Sequence, residues 1–167
     1  MSDISSGGRI NSAPLGSQAV TPNLPPARQI ARRFIDRHGA EEAAGQAAVN
    51  PAAAACDRLY QDLSRWVGLG GCHALFTRAL AQARAEHPLL GTIQLHARSA
   101  PYLEGVAETV EQHGAAATAE ALESMLVILI ELLGRLIGDE MARILIERGF
   151  AESAGDYANR ESRRAEA

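Results

Sequence analysis

Cys72 and His73 stand next to each other just beyond the glycines at 68, 70 and 71, where a new helical pattern begins. A helix N-terminus lowers a thiol pKa and an adjacent imidazolium lowers it further, so this pair could supply a reactive or redox-sensing thiolate. Cys72 also falls on one apolar stripe with Leu75, Phe76 and Ala79, which is the pattern of a small buried side chain. Exposure decides between a thiol sensor and a plain core cysteine.

The other groups with coordinating chemistry are Cys56, His87 and His96. Their spacings match no closed zinc pattern: there is no CxxC and no pair of histidines at helical spacing. His38 and His113 each precede a glycine and His87 precedes a proline, positions at which a cation complements a helix C-terminus. Arg148-Gly149 repeats the pattern. No metal and no cofactor is expected.

Arg28, Arg32, Arg33 and Arg37 share one short helix and could touch phosphates. Asp36, Glu41 and Glu42 dilute that charge, and no recognition helix follows at turn spacing, so a solvated face is expected. Gly134 and Gly138 have GxxxG spacing, whose established meaning belongs to membrane helices. Phosphate-cradling loops, a serine nucleophile elbow, HExxH and a histidine phosphotransfer site placed mid-helix are not found in the pattern. The reading is therefore non-catalytic.

The elements that position these residues centre on Ala116 to Ile137, AATAEALESMLVILIELLGRLI. Leu122, Met125, Leu126, Leu129, Leu132, Leu133, Leu136 and Ile137 recur at three- and four-residue steps, and Val127, Ile128 and Ile130 add a second apolar face. A helix apolar on most sides is a buried central helix. Glu123, Glu131 and Arg135 interrupt it, which argues against a transmembrane span.

In chain order, residues 1–25 are rich in Ser, Gly, Asn and Pro and read as a disordered arm. Pro25-Pro26 opens a helix whose stripe is Ala27, Ile30, Ala31, Phe34 and Ile35, stopping at Gly39. The Ala-rich segment 40–49 reads as a short, weakly held helix. Asn50-Pro51 starts a strongly amphipathic helix with Cys56, Leu59, Tyr60, Leu63, Trp66 and Val67 on one face, ending at Gly68. The next stripe, Cys72 to Ala83, makes an αα-hairpin with it and closes near His87-Pro88.

Leu89 to Arg98 alternates weakly and reads as an extended linker or loose turn, since a lone strand would lack a partner. Ser99 and Pro101 are expected to open a helix carrying Tyr102, Leu103, Val106 and Val110, stopping at His113-Gly114. After the central helix, Gly138-Asp139 bends the chain, and Met141, Ile144, Leu145 and Arg148 continue a stripe to Phe150. The expected fold is all-α: a compact bundle of five to six helices over residues 26–150, followed by a charged tail at 151–167.

Composition sets the function classes. About a fifth of the 167 residues are Ala, and one Trp, three Tyr and three Phe leave little to line an aromatic ligand cavity. All 16 basic residues are Arg, a composition suited to a GC-rich bacterial genome, and a net charge of −4 with interleaved signs argues against nucleic acid as partner. A polar start without an apolar run is not a secretory signal, which makes the cytoplasm the default home, with export by a specialised secretion system as an alternative.

Ile146 lies off the main stripe and would face outward in a lone monomer. With Phe150, Trp66 and Val67 it could centre a symmetric interface. The opposing reading has the N-terminal helix covering that surface in cis. The leading functional expectation is a helical regulatory or protein–protein interaction module, acting on a protein partner or as a homo-oligomer. A small-molecule or redox sensor using Cys72-His73 and a translocated bacterial effector are the alternatives.

Overall fold

The computed structural model describes residues 27–39 and 50–148. The arm expected at 1–25, the helix expected within 40–49, the tail at 151–167 and Phe150 all lie outside the described residues. The elements are α1 (Ala27–Phe34), running into a π-helical turn (Ile35–Gly39); α2 (Pro51–Glu86); a 3-10 turn (Pro88–Thr92); β1 (Gln94–Leu95); β2 (Leu103–Glu104); α3 (Val106–His113); α4 (Ala115–Ile137); and α5 (Asp139–Arg148). The described residues form an all-α bundle of five α-helices, the class the periodicity predicts.

α2 is a hairpin in one helical segment. Asn50 caps it, its side chain accepting the Ala52 N–H at 2.9 Å, and Pro51 follows with a preset φ. Gly68 then takes φ 77° and ψ 160°, a conformation closed to L side chains, and turns the chain back. Tyr60 and Phe76, on opposite arms, meet edge to face with ring centroids 4.9 Å apart. Twelve residues of straight helix would span about 18 Å; here the Cys72 Sγ lies 3.5 Å from the Tyr60 carbonyl oxygen across those twelve residues.

α4 is the central helix, within one residue of the expected span. Leu122, Met125, Leu126, Leu129 and Leu133 are fully buried in the main cluster with Leu59 and Leu63 from one arm of α2 and Phe76 and Leu80 from the other. Two polar ties fix its direction. Asn50 donates through Nδ2 to the Ala115 carbonyl at 3.2 Å, and His87 Nε2 sits 3.0 Å from Ser124 Oγ. Both ties hold the N-terminal half of α4 at the open end of the hairpin, where Asn50 and His87 lie. Leu136 and Ile137, counted in the apolar stripe from sequence, are exposed instead.

At the end of α4, Gly138 adopts φ 91° and its N–H bonds the Gly134 carbonyl at 2.7 Å. The missing side chain of Gly134 leaves room for the Asp139 carboxylate. The GxxxG spacing therefore builds a tight corner within one chain.

α5 then packs on α4 and α1, and its buried stripe is Ala142, Leu145 and Ile146. This corrects the expected register of Met141, Ile144 and Leu145, in which Ile146 faces outward: Ile146 is 1% exposed. Side-chain size had concealed that Ala142 belongs to the buried row. The surface on α4 and α5 is covered in cis by α1, through Ile30, Ala31 and Phe34. α1 has eight residues, fewer than the roughly 12–15 that an isolated helix needs in water. It is helical because it is docked.

The second correction concerns residues 94–104. They form a small antiparallel pair, with Gln94 opposite Glu104 and Leu95 opposite Leu103, where a linker and a helix start were expected. The helix begins only at Val106, after Gly105 with φ 87°. The Asp57 carboxylate on α2 accepts the N–H groups of Tyr102 at 2.8 Å and Leu103 at 3.3 Å, which diverts this backbone away from helical bonding. Arg84 holds the other side, donating to the carbonyls of Leu90 and Ile93.

Candidate functional site

Cys72 is fully buried beneath the Gly68 corner, with the Tyr60 carbonyl as acceptor for its thiol. Burial pushes the thiol up to about 12, which keeps it protonated at neutral pH. The proximity to a helix N-terminus that the sequence offered is outweighed by loss of solvent. Cys56 is buried likewise, and desolvation, then the Asp57 charge, raises its thiol well above the ordinary value. Neither thiol meets the conditions of partial exposure and a positive surrounding that reactive cysteines need.

His73 is half-buried, and its Nδ1 finds no hydrogen-bond partner among the described residues. The chain places it beside Cys72 in sequence, on the arm of α2 that leaves the corner. The Tyr60 hydroxyl is a second buried polar atom with no partner among the described residues, on a ring stacked over Tyr102 with centroids 4.2 Å apart. Desolvation raises the Tyr60 hydroxyl first, with smaller contributions from Cys72 and Tyr102, so it stays neutral. This cluster is a closed aromatic core.

A contact that sequence spacing could not offer is the one between His87 and Ser124. A serine within reach of an imidazole has the first half of a nucleophile's geometry, but Ser124 is buried in the interior of α4. The bond instead closes the hairpin end onto the central helix. Among the described residues, no group of three or more His, Cys, Asp or Glu side chains could hold a metal ion. No described helix is long and apolar enough to cross a membrane.

The interface candidates separate clearly. Trp66 is 41% exposed and Val67 is partly buried against the core, while Ile146 points inward. The structure adds three exposed apolar residues: Leu69 at 54%, which sequence reasoning did not name, and Leu136 at 64% and Ile137 at 37%, which it assigned to the buried stripe. Trp66 and Leu69 flank the Gly68 corner; Leu136 and Ile137 precede the Gly138 corner. Leu69 had a sequence signal, a leucine among the glycines at 68, 70 and 71 with no stripe to join.

The arginines of α1 are engaged. Arg28 and Arg32 approach the Glu123 carboxylate of α4 at 3.6 and 3.0 Å. Arg33 meets the Glu147 carboxylate of α5 at 3.3 Å, and Arg37 donates to the Glu147 carbonyl. Arg143 also holds the Glu147 carboxylate at 2.8 Å and reaches Glu140.

No protein-family model matches the sequence, and no curated protein or solved structure matches it.

Proposed function

We propose that this chain is a non-catalytic helical interaction module of the bacterial cytoplasm, regulatory in role, which docks a protein partner or a second copy of itself. The observation that carries the reading is the exposure of Trp66, Leu69, Leu136 and Ile137 at the two glycine corners. Large apolar side chains left exposed at helix corners are a recurring mark of a protein-binding surface. The buried state of Cys72 weighs against the thiol sensor.

Light scattering coupled to size-exclusion chromatography over a concentration series tests self-association. A mass near 17.7 kDa at every concentration defeats the homo-oligomer form of the proposal. Replacing Leu69 and Leu136 together by Ser should lower the mass if the corners meet a second copy. Pulldown from the native host with the same variant as control then tests the partner form: a protein retained equally by both chains would leave this surface without a role.

A further inference from the structure

Two pairs of arginines in α1 and the turn after it, each pair four residues apart, close on one glutamate apiece: Arg28 and Arg32 on Glu123 of α4, Arg33 and Arg37 on Glu147 of α5, Arg37 through the Glu147 carbonyl. Between the two pairs lie the buried side chains Ile30, Ala31 and Phe34. The receiving surface thus has an apolar floor with one carboxylate on each side. Glu123 and Glu147 are largely covered, with side-chain exposures of 18% and 22%, whereas Arg28, Arg32 and Arg33 facing them are more than half exposed. The specificity sits in the seat, and the occupant brings a generic amphipathic pattern.

We propose that the α4–α5 surface beneath α1 is a helix-accepting site whose partner is a protein segment of the same chemistry: an amphipathic helix with two large apolar side chains four residues apart and arginines on both flanks. α1 is its occupant in cis. A segment too short to be helical by itself gains its structure on docking, and because the chain tethers α1 at high effective concentration, a trans helix competes for the seat once the cis contact is weakened. Charge complementarity selects basic helices and rejects acidic ones. This surface is separate from the glycine corners and goes beyond the reading based on them.

The test uses the full chain and a fluorescent synthetic peptide of residues 26–39 as probe, read by anisotropy. Phe34→Ser in the full chain weakens the cis helix and should raise peptide affinity by roughly tenfold or more over the wild type, with the cooperative thermal transition retained. Adding Glu123→Arg to that variant should cost roughly tenfold, and a peptide carrying Arg28→Glu and Arg32→Glu should recover binding to it. A folded Phe34→Ser chain that does not bind the peptide overturns the proposal. So does loss of the cooperative transition in that chain, which would make α1 an integral part of the core, and so does binding indifferent to the sign of the charge at position 123.

Discussion

The Asp57 carboxylate receives the backbone N–H of Tyr102 at 2.8 Å across 45 residues of chain. With the bond to the Leu103 N–H at 3.3 Å, it anchors the start of β2 on α2. Asp57→Ala would leave the Tyr102 and Leu103 donors without their acceptor and should destabilise the domain by about 1–3 kcal/mol. Asp57→Asn keeps an acceptor oxygen and should cost less. Thermal melts of the two variants check the order; equal losses would mean the carboxylate acts only by charge.

Leu129 is buried at the middle of α4. Leu129→Ala should cost about 2–5 kcal/mol through lost burial and the cavity left behind. Leu129→Asp places an unpaired carboxylate in the same site and should unfold the domain, seen as loss of the helical circular dichroism signal at room temperature. A near-normal melt for the aspartate variant would contradict the position of α4.

Both thiols are raised by burial, Cys72 to about 12. A group whose folded pKa lies above its unfolded value contributes stability that is complete below the unfolded pKa, about 8.5 for cysteine. That contribution is lost as pH rises from there toward 12. Native protein should therefore melt at a lower temperature at pH 10 than at pH 8, and Cys72→Ala should show a smaller drop. A thiol reagent at neutral pH should modify Cys72 slowly in the folded protein and quickly in denaturant; rapid native labelling would revive the sensor reading.

Gly105 combines two constraints: φ 87°, and a Cβ that would stand 2.5 Å from the Thr92 carbonyl oxygen. Gly138 has φ 91° but open space around an added Cβ. Gly138→Ala should thus cost the backbone term alone, about 1–3 kcal/mol, and Gly105→Ala more, because the Thr92 backbone must also move. Denaturant melts of the pair measure the difference, and equal costs would show that the close approach is readily relieved.

The elements legible in the sequence were those whose signal is local. α4 follows from its own periodicity, α1 from its stripe and Gly39, and the hairpin from Asn50-Pro51 and the glycine-marked corner. The β1–β2 pair was not legible, because its cause is Asp57 on another element. The α5 register was misread because Ala142 carries little apolar signal, yet a small residue is what a close helix packing buries. At the candidate site, Trp66 could be named from its type. Leu136 and Ile137 continue a true apolar stripe, and only tertiary packing, which leaves them uncovered, separates them from its buried members.

Gly114, which joins α3 to α4, shares the backbone geometry of the Gly68 and Gly138 corners: φ and ψ are 77° and 160° at Gly68, 89° and 154° at Gly114, and 91° and 143° at Gly138. Reflection turns them into φ and ψ of −91° and −143° at Gly138, beyond the extended region of an L-residue, whose ψ runs from about +100° to +180°. The conformation therefore suits neither hand of alanine and belongs to glycine. A chemically synthesised chain with D-alanine at Gly138 should melt below the glycine chain, as the L-alanine variant does; a melt at or above that of the glycine chain would contradict this geometry.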